Sequence, residues 1–513
     1  MQPYQEFAAA AAGGASHWDQ LARFLLTGAA SGVYEAARAG KRLTGQNDWL
    51  RLCLNEDGSR VVENILGGRF PRSEPVLFAL AMASSPKYAP AEVNRAALAA
   101  LPLVASSAAG LAAFVSFAGE MRGWGRSLRS AVADWYKQQP AALLARQLAA
   151  AKPKMLRTHR SALRKAHPKP VTAAQNALFQ WISDGQLGHL ATPEICAAEM
   201  SSIDMRRRLW EAGSAREAAR WIADRGAAVR SIPGSIPERW RASAEVWEAL
   251  FEHLSYRALL RSLGAMTAAG FLTPRGIYTA LTAARLTDRE RIRASRLNPV
   301  HFASAMIGYR AGARTVEPVF DALSDAFHVS VALARETNPA QTLVAIDASG
   351  SMQGAPCRGL PKVPASLAGA VMAITFGGES GGSHYTPALA FDTKVRRLAL
   401  RKSTRLTDVL NEIGANPCRT DASAPIRYAL EHDLEAEAFV IVTDRIQPGA
   451  PVFEVLRHYR SVSGIEAKLV LISAASPAIS GWDPMDAGAI GSAGFDTRVP
   501  AIVRHFLGGR LDL

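Results

Sequence analysis

Cysteine is scarce in this 513-residue chain: Cys53, Cys196, Cys357 and Cys418 lie far apart, with no CxxC pair among them. That spacing argues against a zinc ribbon or a disulfide framework and makes a reducing compartment the simplest home. A cleaved leader is not expected, because no basic region precedes the alanine run from Ala8 to Ala12 and Glu6 leads into it. Long apolar runs are equally few. The longest uncharged stretch, residues 96–119, contains Pro102, Ser106, Ser107, Gly110 and Ser116, so it reads as buried helix and not as a membrane span. No membrane association and a cytoplasmic location are expected.

Recognisable catalytic patterns are missing too. The eleven histidines are scattered, and no Ser-His-Asp, Cys-His or paired-carboxylate arrangement has a catalytic context. Gly377-Gly378 and Gly381-Gly382 lack the lysine of a phosphate-binding loop and serve better as flexible loop. The chain is therefore read as a non-enzyme. Its 49% hydrophobic and 20% charged residues are enough for a sizeable core, and its length suggests two to four domains of roughly 100–200 residues.

Negative charge is what the first two thirds lack. The formal net charge is +14, while residues 341–513 hold 17 basic and 17 acidic side chains, so the whole excess belongs to residues 1–340. Between Asp134 and Asp184 there is no carboxylate, whereas Lys137, Arg146, Lys152, Lys154, Arg157, Arg160, Arg164, Lys165 and Lys169 are all cationic. A one-signed block of this kind favours a polyanionic partner, against the blander reading of a solvated face. At about 100° per residue, Arg157, Arg160, Arg164 and His167 share one sector of a helix while Met155, Ala162 and Ala166 face the other way. One face can pack while the other offers guanidinium forks to phosphate oxygens. Pro168 and Pro170 end the helix and hold Lys169 in an extended segment.

From about residue 18 to 333 the pattern is one of amphipathic helices, for example 19–26, 74–82, 91–101, 127–136, 141–150, 172–183, 215–225, 242–254 and 256–266. Unevenly spaced turn signals fit an irregular solenoid of helix pairs, with a globular helical domain as the alternative. Trp124, Trp135 and Tyr136, at helical spacing, are read as core, and His301 as packed in a helix. After residue 338, strand-like runs (342–346, 387–391, 438–443, 468–472) alternate with helical ones (364–376, 404–413, 422–432, 452–459), which predicts a parallel, doubly wound α/β sheet. The ligand edge of such a sheet is at the carboxyl ends of its strands.

Asp347-Ala348-Ser349-Gly350-Ser351 begins where the first of these strands ends, Thr420-Asp421 precedes a helix, and Asp444 directly follows the run 438–443. Alone, the DxSxS pattern could be a helix cap. Together, Asp347, Ser349, Ser351, Thr420 and Asp444 form an oxygen-only set of low charge that suits Mg²⁺ and leaves a position open for an acidic side chain or a phosphate. The constellation resembles the metal-ion-dependent adhesion site of von Willebrand factor A domains.

Taken end to end, the chain resembles the Ro ribonucleoprotein family, in which a TROVE module of HEAT-like helical repeats closes into a ring through a von Willebrand factor A domain. The stretches that carry the resemblance are Gly123-Trp124-Gly125-Arg126-Ser127-Leu128-Arg129 with Ala133-Asp134-Trp135-Tyr136, Thr158-His159-Arg160 through His167-Pro168-Lys169-Pro170, and Leu260-Arg261-Ser262-Leu263-Gly264-Ala265-Met266-Thr267. Asn298-Pro299-Val300-His301, Val442-Thr443-Asp444 and Ala493-Gly494-Phe495-Asp496-Thr497 agree as well. The resemblance implies a TROVE domain over residues 1–340 and a von Willebrand factor A domain over 341–513. It also implies a monomeric ring that holds a small Y-type noncoding RNA on its outer surface and takes single-stranded ends of misfolded RNA into its hole, with an exoribonuclease as a further partner. His167 stands at a family RNA-contacting position, Lys152 and Lys154 at basic ones, and Ala150 where relatives can carry lysine. The RNA-contacting set expected here is Arg126, Arg129, Lys152, Lys154, His159, Arg160, Arg164, Lys165, His167 and Lys169. The competing reading is a protein-interaction adaptor that binds acidic partners through Mg²⁺. A metal-dependent nuclease is disfavoured, since two-metal chemistry needs more carboxylates than Asp347 and Asp444.

Overall fold

The computed structural model describes residues 15–38, 47–184, 198–224, 236–336, 341–379, 385–401, 404–414 and 419–508. Up to residue 336 the described chain is almost wholly helical. In order it runs α1 (His17–Thr27), β1 (Val33–Glu35), α2 (Asp48–Gly67), α3 (Ser73–Ala83), α4 (Ala91–Val104), α5 (Ala108–Met121), α6 (Arg126–Gln138), α7 (Ala141–Ala149), α8 (Pro153–Ala166) and α9 (Ala173–Asp184). It continues with α10 (Ser201–Glu211), α11 (Ala215–Asp224), α12 (Glu238–Arg241), α13 (Ala244–Phe251), α14 (Tyr256–Ala268), α15 (Ile277–Thr287), α16 (Arg289–Ser295), α17 (Pro299–Arg310) and α18 (Glu317–Arg335). The first helix shows how local sequence sets these bounds. Ser16 accepts from the Asp19 amide at 3.1 Å while Asp19 accepts from the Ser16 amide at 2.8 Å, and Gly28 takes the left-handed φ of 87° that stops the helix.

The uncharged stretch 96–119 is two helices, not one. The Ala105 amide closes α4, Pro102 sits in its last turn, and Ser107 starts α5 by accepting from the Gly110 amide at 3.1 Å. No helix among the described residues is long and apolar enough to cross a membrane.

The C-terminal part contains β2 (Thr342–Asp347), α19 (Ser351–Gly354), β3 (Pro356–Cys357), β4 (Leu360–Pro364), α20 (Ala365–Phe376), β5 (Gly378–Glu379), β6 (Tyr385–Thr386), β7 (Ala388–Phe391) and β8 (Val395–Leu398). Then follow α21 (Leu406–Ile413), α22 (Ala424–Glu431), β9 (Ala438–Thr443), α23 (Val452–Ser463), β10 (Lys468–Ser473), β11 (Ala489–Ala493) and α24 (Val499–Leu507). The main sheet has the order β1-β11-β10-β9-β2-β7-β8, so the winding reverses around β2, the strand that delivers Asp347. Its pairs are parallel except the edge pair β7–β8, where a short return puts an antiparallel strand on an otherwise parallel sheet.

The helical stack holds two cores. Residues from Leu21 to Ile203 form one, built on Leu50, Leu80, Phe114, Trp135 and Leu148. The other runs without interruption from Leu209 through Phe327 into Ile346, Val371 and Phe506, so the later helices and one face of the sheet share a single apolar interior. Arg335 in α18 adds polar ties, donating to the carbonyls of Ile374 at 2.8 Å and Gly377 at 3.1 Å.

One strand comes from the far end of the chain. β1, inside the region read as wholly helical, pairs with β11 in parallel from Val33↔Gly491 to Glu35↔Ala493. Around it, Arg23 donates to the Pro484 and Asp486 carbonyls, Trp482 donates to Ser31 at 2.9 Å, and the buried Tyr34 hydroxyl donates to Asp496 at 2.6 Å. With α17 tied to the C-terminal part by Asn298 donating to Thr497 at 2.6 Å, both ends of the stack are fastened to the same sheet domain and the chain closes on itself. Cys53 and Cys357 are buried thiols whose pKa burial pushes up to about 12; Cys196, Cys418 and Gly381-Gly382 lie outside the described residues.

Candidate nucleic-acid interface and metal centre

α8 is framed by its sequence at both ends. Pro153 occupies the first turn after Lys152, and His167 closes the helix in a left-handed conformation (φ 46°), its amide bonded to the Leu163 carbonyl at 2.9 Å. The inner face carries His159, Ala162 and Leu163, with Met155, Leu156 and Ala166 packed beside them. The outer face leaves Lys152, Lys154, Arg157, Arg164, Lys165, His167 and Lys169 exposed, with Arg160 half-buried. Among the described residues none of these cations is in an ion pair.

Two of them have structural work as well. Arg160 Nε donates to the Ile182 carbonyl at 3.0 Å and Arg164 Nη2 to the Ser183 carbonyl at 3.1 Å, capping the last turn of α9. Each guanidinium has five donors, so each is oriented by one bond and keeps the others. Lys165 Nζ lies 5.1 Å from the ring centre of the half-buried Trp124, which brings the start of α6 against α8. There Arg126 and Arg129 are exposed in a first turn that has no acidic residue. Cations at the positive end of a helix dipole repel it, so this end gains from an external anion.

His159 is not on that surface. It is 1% exposed, Tyr136 O–H lies 2.8 Å from its Nδ1 and the Ala108 carbonyl 2.9 Å from its Nε2. The carbonyl can only accept, so Nε2 donates and Nδ1 takes the tyrosine proton. Desolvation drops the imidazole to about 4, which keeps the ring neutral. This corrects its place in the RNA-contacting set: the residue pins α8 to α6 and α5. Trp135 and Tyr136 are likewise buried, Trp135 donating to the Ala105 carbonyl at 2.6 Å. His301 is in the first turn of α17, where Nδ1 meets Asn298 Oδ1 at 3.0 Å.

Sequence reasoning missed a cavity of about 550 Å³ between α7 and the later helices, bordered by Arg146, Tyr256, Arg257, Arg285 and Arg291. Tyr256 O–H donates to Leu286 at 2.7 Å and Arg285 to Phe251 at 2.5 Å, so two lining groups are fixed in place. The signal was dilute, because these arginines fall in different helices.

At the sheet's carboxyl edge, the fully buried Asp347 ends β2. Its Oδ1 accepts from the Ser349 amide at 2.7 Å and its Oδ2 from the Thr443 hydroxyl at 2.6 Å. Ser349 Oγ and the exposed Ser351 are 2.9 Å apart, oxygen to oxygen. Desolvation raises the Asp347 pKa, the bonds from Thr443 and Ser349 lower it, and the charge of Asp444, just past β9, raises it again. The half-buried Thr420 belongs to a loop docked by the Asp421 amide on the Asp392 carbonyl at 3.3 Å, immediately beyond β7. Asp421 itself is taken by Arg427 and Ser423. A buried carboxylate beside a second one, ringed by hydroxyls, fits a hard divalent cation, which would relieve the repulsion that raises Asp347. Among the described residues no cluster of three His, Cys, Asp or Glu side chains could hold a metal, so hydroxyls are needed to complete any set. Thr443 is the residue that sequence reasoning passed over, although it directly precedes Asp444.

The family model described as the Ro60 vWA domain matches residues 341–507, and that of the TROVE domain matches residues 233–311. Over nearly its whole length the chain is similar to Ro proteins. Among Ro relatives, the RNA-binding protein RO60 of Deinococcus radiodurans is 28% identical over 512 residues, covering 96% of this chain and 93% of its own length. The RNA-binding protein RO60 of Caenorhabditis elegans is 26% identical over 443 residues, 76% of this chain and 67% of its own. The crystal structure of the Deinococcus radiodurans RO (RSR) protein superposes with a TM-score of 0.83 at 27% identity, over 96% of this chain and all of that one. The basic face of α8 lies outside the part matched by the TROVE model.

Proposed function

We propose that this protein is an RNA-binding scaffold of the Ro type, without catalysis of its own, that works in noncoding RNA quality control in the cytoplasm. The observation that carries this reading is the outer face of α8 and the start of α6: a cationic surface with no counter-ions of its own among the described residues. Arg126, Arg129, Lys152, Lys154, Arg157, Lys165, His167 and Lys169 would contact phosphates of a small Y-type RNA, with Arg160 and Arg164 contributing the donors that their α9 bonds leave over. The arginine-bordered cavity near Tyr256 suits a single-stranded end of a misfolded RNA. An exoribonuclease acting on such ends fits as a partner.

The test is binding of a structured RNA, with and without a 3′ tail, across a salt series. The intact protein should weaken steeply with salt, and Lys152→Ala/Arg157→Ala/Lys165→Ala should flatten the log–log slope by about 2–3, near one unit for each phosphate deprived of its cation. Unchanged affinity and slope in the triple variant would falsify the assignment.

A second component rests on the carboxylate and hydroxyl cluster at the sheet edge. Asp347, Ser349, Ser351, Thr420 and Asp444 would hold Mg²⁺, which when bound supplies an acceptor position for an acidic group of a protein partner. The chain's own part is to hold Asp347 in place through the Ser349 amide and the Thr443 hydroxyl, whose bonds favour its charged form against the desolvation that opposes it. Calorimetric titration with Mg²⁺ alone should show binding that Asp347→Ala abolishes while RNA affinity is kept.

A further inference from the structure

Of the chain's ten tryptophans, one presents its ring to solvent: Trp210, 57% exposed at the end of α10. Its backbone is held firmly. Arg239 donates to the Trp210 carbonyl at 2.5 Å and Trp240 Nε1 donates to the Leu209 carbonyl at 2.7 Å, so the last turn of α10 is capped by side chains of α12. An immobilised helix end carrying a solvated indole costs apolar exposure that the fold does not recover, and single exposed aromatics become informative when a groove opens beside them.

Such a groove is present. A cavity of about 350 Å³ is bordered by Trp210 together with Lys152, Pro153, Arg206, Glu238 and Arg241. Arg206 donates to the Ala149 carbonyl and Arg241 Nε to the Ile236 carbonyl at 3.1 Å, which fixes both cations against the backbone. Three cations thus face one carboxylate, Glu238, around an aromatic plate. Lys152 also starts the basic face of α8, so the groove continues that surface across α10. The size is at the low end of the roughly 300–1,000 Å³ usual for small-ligand sites, enough for a single base and too small for a duplex.

We propose that this groove is a stacking site for one unpaired nucleotide of an RNA, whose base lies on the Trp210 indole while its phosphates meet Lys152, Arg206 and Arg241. An aromatic plate rimmed by cations is the combination that binds single-stranded nucleic acid, since every base has a π-face and every linkage a charge. An acidic peptide would match the cations but leave the indole unused. The proposal rests on the RNA-binding reading above and extends it from phosphate contact to base contact, at a residue outside the set drawn from the sequence.

The experiment compares a blunt RNA duplex with the same duplex carrying a short unpaired adenine tail, each titrated against the full-length protein, Trp210→Ala and Trp210→Phe. Loss of the indole should weaken binding of the tailed RNA by about tenfold, with blunt-duplex affinity unchanged and the phenylalanine variant close to the intact protein. A fluorescent adenine analogue in the tail should be quenched by the intact protein and not by Trp210→Ala. Tailed-RNA binding and quenching unaffected by Trp210→Ala overturn this site while leaving the α8 surface standing. Failure of the intact protein to bind either RNA overturns both.

Discussion

His159 shows how one residue can belong to a surface motif and to the core at once. On the helical wheel it lies only about 40° from Met155, on the apolar side of α8, so its burial was legible from periodicity even though neighbouring Arg160 drew it into the cationic set. Its bonds to Tyr136 and Ala108 have an energetic signature. The folded-state pKa of about 4 lies below the ordinary 6.5, so the unfolded chain binds the proton more tightly and stability falls as pH drops through 6.5 towards 4. His301, lowered to about 4 by desolvation and the nearby Arg257, adds in the same window. Each contributes up to about 3 kcal/mol between the two limits. Thermal unfolding at pH 7.5 and 4.5 should show a loss that shrinks by roughly half in His159→Asn, with the His301 share remaining. His159→Ala should cost about 1–3 kcal/mol at neutral pH, since the Ala108 carbonyl and Tyr136 hydroxyl would be left unpaired.

Among the elements, most helices of the first two thirds were readable because they bury one stripe, α3 being buried on all sides from Pro75 to Ala83, and the observed bounds of α3, α6 and α9 fall close to the expected ones, within a residue or two. What periodicity could not give was the double duty of the basic face. Arg160 and Arg164 cap α9 through carbonyls about twenty positions further along, a pairing no local spacing announces. Arg164→Ala should therefore lower both the denaturation midpoint, by an amount equivalent to about 0.5–1.5 kcal/mol, and RNA affinity, whereas Arg157→Ala should lower affinity alone. His167 offers a contrary case: its left-handed φ of 46° is a conformation that glycine adopts more readily. His167→Gly should raise the unfolding midpoint modestly while weakening RNA binding, a combination that separates contact from fold.

For the whole molecule, the expected sequence of a helical stack and a doubly wound sheet is what the chain forms, and the strand run that ends in Asp347 is the one around which the sheet reverses. Two features escaped. β1 is three residues long, and its partner lies more than 450 positions away, so neither length nor pattern marks it. The continuous apolar interior from Leu209 to Phe506 likewise joins segments that composition separates near residue 340. Closure of the chain depends on this remote pairing and on the buried bond from Tyr34 to Asp496. Tyr34→Phe should cost about 1–3 kcal/mol by removing the hydroxyl donor to the Asp496 carboxylate, which would keep only the Arg498 amide at 2.8 Å and the Arg498 guanidinium at 4.0 Å. Burial and the Asp496 charge raise the Tyr34 pKa, so the folded state holds the phenolic proton longer and stability should decline only as pH climbs past 10. Denaturant melts of both forms from pH 7 to 11 would check each sign.

The distance between β1 and β11 also has a meaning in time. At the roughly 5–20 residues per second of protein synthesis, β1 leaves the ribosome at least about twenty seconds before β11 has been made. Throughout elongation the helical stack is an open arc with an unmatched strand at its leading end. An RNA that meets the nascent chain before then encounters a shape with a gap, and that gap shuts only once β11 has emerged to pair with β1.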